Sequence, residues 1–94
     1  MNLSPSERES LYRAAIMFKI ERGDRGRDYR EIAERVAAAL REGRGIDDDD
    51  AIEGDLLAMA DFGRRWVPDL AVGIACEGVA KRLEAKGVKN SLSA

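Results

Sequence analysis

Residues 28–40, DYREIAERVAAAL, decide the fold class, because their apolar side chains recur every three or four residues. The apolar positions are Tyr29, Ile32, Ala33, Val36, Ala37 and Leu40. The opposite side carries Arg30, Glu31, Glu34 and Arg35. This 3.6-residue period predicts an amphipathic α-helix with one buried face. Asp28 and Glu31 have the spacing of a capping box, and Gly43 predicts the helix end.

Three further helices are indicated by start and stop signals on either side of this segment. Ser4-Pro5-Ser6-Glu7 combines a capping box with proline at the first helical position, and Gly23 predicts the end of that helix. Four aspartates, Asp47 to Asp50, precede another apolar stripe that ends before Pro68, and Gly87 follows the last one. We therefore expect an all-α bundle of four helices, approximately 5–22, 28–42, 48–66 and 68–86. Residues 1–87 form one domain, and 88–94 a frayed C-terminal tail.

The apolar residues of these helices do not all fall on one core stripe. The third helix places Ile52, Leu56, Met59, Ala60, Gly63 and Trp66 on its core face, and the fourth places Val72, Cys76, Val79 and Leu83 there. Leu57, Leu70 and Ile74 lie off these stripes, and Tyr12, Ile16 and Ile20 form a second face of the first helix. We expect Leu57, Leu70 and Ile74 to be exposed and to serve protein binding or self-association. Gly73 and Gly78 weaken the fourth helix but allow another backbone to approach.

The composition argues against catalysis. The chain has 94 residues, no histidine and a single cysteine, which removes histidine-based triads and the usual zinc ligand sets. Cys76 lies on a core stripe, which predicts a buried structural thiol. The aspartate run departs from the calcium-loop pattern, because Ala51, Ile52 and Ala58 replace the required residues. We expect no enzyme activity, no cofactor and no metal.

An acidic surface is the first candidate for partner binding. Residues 1–46 carry a net charge of +2 and residues 47–94 a net charge of −4. The acidic positions are Asp47, Asp48, Asp49, Asp50, Glu53, Asp55 and Asp61. Acids at a helix start also cap backbone N–H groups, so a solvated, capped helix is the alternative. As an interaction surface, this face would attract a basic partner.

A cluster of basic residues is the second candidate. Lys19, Arg22, Arg25, Arg27 and Arg30 surround the loop between the first two helices. Arginines in a glycine-containing loop beside a helix start can contact phosphate. Glu21, Asp24 and Asp28 are interleaved with them, and mixed charge weakens attraction to phosphate. A solvated loop is therefore the alternative, and nucleic-acid binding is the second-ranked function.

The sequence predicts a non-enzymatic protein-interaction module that binds a protein partner through the acidic face and the off-stripe apolar residues. A small bacterial or phage regulator or inhibitor, of the anti-defence, antitoxin or immunity type, fits this description. An accessory subunit of an enzyme or virion assembly is a further alternative. No signal sequence or membrane-length apolar run is present, so a cytoplasmic monomer or homodimer is expected.

Overall fold

The four helices of the computed structural model, which describes residues 2–43 and 52–92, confirm the expected fold class. Helix α1 spans Pro5–Arg22, α2 spans Arg27–Glu42, α3 spans Glu53–Trp66 and α4 spans Leu70–Ala85. These residues contain no strand. Helices α1 and α3 each pack against the three other helices and form the centre of the bundle. Within the described ranges, no helix has the length and apolarity needed to cross a membrane.

Local signals set most of the helix ends. At the start of α1, the Ser4 hydroxyl accepts a hydrogen bond from the Glu7 N–H at 3.1 Å, and the Glu7 carboxylate accepts one from the Ser4 N–H at 2.8 Å. This capping box satisfies two N–H groups that have no partner within the helix. At the end of α2, Gly43 adopts φ of 68°, a left-handed conformation that glycine adopts without strain.

Two helix starts differ from the prediction by one or two residues. Helix α2 begins at Arg27 with Gly26 as its N-cap, so Asp28 lies inside the first turn, and Glu31 pairs with Arg27 instead of completing a box. Helix α4 begins at Leu70, because Asp69 is extended and its side chain accepts a hydrogen bond from the Val72 N–H at 3.1 Å. Pro68 therefore precedes the helix. The predicted start of α3 at residue 48 lies outside the described residues.

The core combines alanines and aliphatic side chains with the larger Phe18 and Phe62. Leu11, Ala14, Ala15 and Phe18 of α1 are buried between the other helices, as the sequence predicts for a central helix. Gly63 lets α3 approach its neighbours closely: a Cβ at this position would overlap the sulfur of Cys76 and lie 3.1 Å from the Cβ of Ala14. The glycine on the predicted core stripe of α3 is therefore a packing requirement.

The segment after α4 packs against the bundle where a frayed tail is expected. The Ser91 N–H donates to the Gly54 carbonyl at 3.1 Å, and Val88 and Leu92 pack against the core. Gly87 adopts φ of 83° and turns the chain back toward the start of α3. The folded unit therefore extends at least to Leu92, and residues 93 and 94 lie outside the described residues.

Candidate functional site

The described members of the predicted acidic face are engaged in ion pairs within the chain. Glu53 and Asp55 are buried, which corrects the expectation that they lie on a solvent face. The Glu53 carboxylate lies 2.5 Å from the Nζ of Lys86, and the Asp55 carboxylate lies 3.2 Å from the Nε of Arg35. These pairs connect α3 to the end of α4 and to α2. The remaining members, Asp47 to Asp50, lie outside the described residues.

Asp61 is the third described member, and it belongs to a network centred on Arg64. Oδ1 of Asp61 lies 2.8 Å from Arg64 and 2.8 Å from Arg65. Burial opposes the charge of Asp61, but hydrogen bonds from Arg65 and Arg64 outweigh it and lower the pKa of this carboxyl below its ordinary value. Arg64 also donates hydrogen bonds to the carboxylates of Glu77 at 3.3 Å and Glu84 at 3.1 Å on α4. The network therefore holds α3 and α4 together.

The predicted apolar surface residues divide into one buried and two exposed side chains. Leu57 is only 3% exposed, so its predicted role in surface binding is wrong. Helix α3 packs on all three other helices, so a single core stripe underestimates how much of it is buried. Leu70 and Ile74 are 81% and 65% exposed, as expected. Ile20 of α1 is 78% exposed.

These exposed residues border two adjoining grooves at the connection between α3 and α4. The first groove encloses about 500 Å³, and its apolar lining comes from Tyr12, Ile16, Met17, Ile20, Val67, Pro68 and Val72. The second encloses about 550 Å³, and its apolar lining comes from Val67, Pro68, Leu70, Gly73 and Ile74. Val67, Pro68 and Asp69 belong to both grooves, so the second face of α1 and the start of α4 form one continuous surface with a single carboxylate at its centre. We call this the apolar face, defined by Tyr12, Ile16, Ile20, Val67, Pro68, Leu70 and Ile74.

The rim of the first groove carries more carboxylates than cations. Arg13, Glu21 and Asp69 line it. The Arg13 guanidinium forms ion pairs with the carboxylates of Glu9 at 3.1 Å and Asp69 at 3.9 Å, so two carboxylates share one cation. Glu21 has no ion pair within the described residues. The charged residues that line the groove therefore sum to −1, and this rim would attract a cationic partner.

The predicted basic cluster is separated into two parts by the fold. Lys19 lies 3.5 Å from Glu34, and Arg27 lies 2.7 Å from Glu31, so these charges are compensated on the exposed side of α2. Arg30 lines a depression of about 570 Å³ that is also lined by Asp24, Glu31 and Glu34. This part of the cluster offers mixed charge to a phosphate.

Arg22 and Arg25 lie on a different side, where they meet the only tryptophan of the chain. Both line a cleft of about 210 Å³ together with Tyr29, Phe62, Trp66 and Asn90. The Arg22 guanidinium carbon lies 4.8 Å from the ring centre of Phe62 and 5.2 Å from that of Trp66. Trp66 is 58% exposed, which corrects its assignment to the core stripe. It is the last residue of α3, at the end of the bundle, where neighbours cover only part of it.

The cysteine has the character that the sequence predicts. Cys76 is fully buried, and burial raises the pKa of its thiol to about 11. The thiol is therefore protonated and shielded from solvent at neutral pH. Among the described residues, no group of histidine, cysteine or acidic side chains is arranged to hold a metal ion.

No protein-family model, curated protein or solved structure matches this chain. The apolar face and the Arg22–Trp66 cleft are the candidate binding sites of this chain. Sequence periodicity identifies Leu70 and Ile74 but misses Val67 and Pro68, which join the two grooves. The Trp-Val-Pro sequence at the end of a helix is the available signal, because proline prevents the helix from continuing over these residues.

Proposed function

We propose that this chain is a non-enzymatic protein-interaction module whose apolar face binds an amphipathic helix of a partner protein, with basic residues flanking the apolar side of that helix. The observation that carries the proposal is the continuity of the apolar face across the two grooves. Ile20, Leu70 and Ile74 together expose a large apolar area around Val67 and Pro68. Contiguous exposed apolar surface with a polar rim is typical of protein-binding sites.

The shape of the surface favours a helix as the bound element. Two adjoining grooves between helices accept apolar side chains that recur every three or four residues on one side of a partner helix. An extended strand is disfavoured, because it needs an open sheet edge for its hydrogen bonds and the described residues contain no strand.

The charges around the first groove distinguish a foreign partner from a second copy of this chain. Self-association through the apolar face would bring two rims of net negative charge together, and like charges in an interface are unfavourable. A helix with lysine or arginine beside its apolar residues would instead pair with Glu21 and Asp69. We propose that the chain is a small regulator or inhibitor that acts by binding such a helix. We prefer this role to that of an accessory subunit held by self-association.

The test is a titration with two designed helical peptides that share one leucine stripe and carry either lysine or glutamate on their other faces. Isothermal titration calorimetry with the wild-type chain should show binding of the lysine peptide and weaker binding of the glutamate peptide. The preference should decrease as salt is added, because the rim charges are exposed to solvent.

Three variants locate the binding surface. Ile20→Lys and Ile74→Lys should each lower the affinity for the lysine peptide by about 10- to 100-fold. This is the loss expected when one buried isoleucine contact of about 1.5–3 kcal/mol is removed. Ala38→Lys adds the same charge at an exposed position of α2 and should bind like the wild type. The proposal fails if the wild type binds neither peptide, or if Ala38→Lys weakens binding as much as the others. It also fails if the wild type forms a dimer that Ile74→Lys dissociates.

A further inference from the structure

We propose that Arg22, Arg25 and Trp66 bind a nucleotide unit of single-stranded nucleic acid, with the base stacked on the face of the Trp66 ring that Arg22 does not cover and the adjoining phosphate held by Arg22 and Arg25. This site is separate from the apolar face and does not depend on the function proposed for that face. It combines a cationic group and an exposed aromatic ring, which are the two elements that single-stranded nucleic acid requires.

The cationic element is provided by two arginines that lack a carboxylate partner among the described residues. Arg22 and Arg25 form no ion pair there, although most of the other described arginines do. Arg22 is held over Phe62 and Trp66 by cation–π contacts, which leave its N–H groups able to donate to a ligand. An arginine fixed in this way loses less conformational entropy when it binds phosphate.

The carboxylate in the cleft does not cancel this positive charge. Asp61 lines the cleft, but it accepts hydrogen bonds from Arg64 at 2.9 Å and from Arg65 at 2.8 Å. Arg22, Arg25 and Asp61 are the charged residues that line the cleft, and together they give it a net charge of +1. Lys19 and Arg27 form ion pairs with Glu34 and Glu31, and Arg30 lines a depression with three acidic residues, so these three members of the basic cluster contribute less.

The aromatic element is Trp66, which is more than half exposed at the end of α3. A large exposed aromatic side chain offers a stacking surface that accepts any base, so the site should show little sequence preference. The sequence alone does not place this ring near the arginines, because Arg22 and Trp66 lie on different helices and only the packing of α1 against α3 brings them together.

The test is fluorescence anisotropy of a labelled ten-nucleotide oligo(dT) at low salt, titrated with the intact protein. Trp66→Leu should weaken binding about five-fold or more, and Trp66→Phe, which keeps an aromatic ring, should recover part of the loss. Arg25→Ala should weaken binding and make the slope of log K against log salt shallower by about 0.7, the loss of one phosphate contact to a single strand. Circular dichroism of each variant shows whether the fold is retained.

Arg30→Ala is the matched control, because Arg30 is also an exposed arginine but lies outside the cleft. It should change the affinity less than two-fold. Free thymidine monophosphate should compete only at a large excess over oligo(dT), and competition at equal concentration would overturn the assignment to a strand. The proposal is also overturned if oligo(dT) does not bind at low salt, if Arg25→Ala and Arg30→Ala weaken binding equally, or if Trp66→Leu binds like the wild type.

Discussion

Alanine substitutions at three helical glycines measure how closely α3 approaches its neighbours. Gly63, Gly73 and Gly78 all lie inside helices, where alanine is favoured over glycine by about 0.5–1 kcal/mol. A Cβ at Gly73 or Gly78 would meet no atom within 4 Å, so these two substitutions should raise the free energy of unfolding by that amount. A Cβ at Gly63 would overlap the Cys76 sulfur and press on Ala14, and such overpacking costs about 1–3 kcal/mol.

The helix-propensity gain is common to the three variants, so the difference between Gly63→Ala and Gly73→Ala isolates the overlap. In urea unfolding followed by circular dichroism, the free energy of unfolding of Gly63→Ala should be about 1–3 kcal/mol lower than that of Gly73→Ala. In a chain of this length, about 1 kcal/mol corresponds to about 4–8 °C in Tm. Equal stabilities for Gly63→Ala and Gly73→Ala would refute the close approach of α3 to α1 and α4.

Three further predictions concern single side chains. Cys76 should react with a thiol reagent at pH 8 far more slowly than in urea-unfolded protein, and equal rates would contradict its burial. The lowered pKa of Asp61 contributes stability that is present above about pH 3.8 and is lost as pH falls through the folded-state pKa. In acid unfolding, Asp61→Asn should therefore lose less stability at low pH than the wild type. An unchanged unfolding profile would contradict the lowered pKa. Lys86→Met should lower the free energy of unfolding by about 1–3 kcal/mol, and by more than Glu53→Gln, because it leaves a buried carboxylate without this ion pair. Equal losses for the two variants in urea unfolding would contradict this.

The helices are largely predictable because their signals are local. The ends of α1 follow from Ser4, Pro5 and Gly23, which act within one turn of the chain. The end of α2 follows in the same way from the left-handed Gly43. The start of α2 is displaced by one residue because Gly26 precedes the helix and no side chain caps it, and the start of α4 is displaced by two because Asp69 caps it after Pro68.

The candidate sites are less predictable because they depend on packing between helices. Periodicity identifies the apolar side of a helix but not how many neighbours surround it, so it places Leu57 at the surface and Trp66 in the core, and both placements are wrong. Glu53 and Asp55 are misplaced on a solvent face for the same reason. Their partners, Lys86 and Arg35, are distant in the sequence and meet them only in the folded chain.

The Arg64 network has a consequence for how quickly the proposed partner helix would bind. Arg64 contacts Glu77 and Glu84, which lie two helical turns apart on α4, and so it fixes this helix at two points. Arg64 and Glu77 also line the second groove. A groove held in this way is already formed before a ligand arrives, and little ordering remains to be done on binding. Association should therefore proceed in one kinetic step, with an observed rate that rises linearly with ligand concentration and no slower phase.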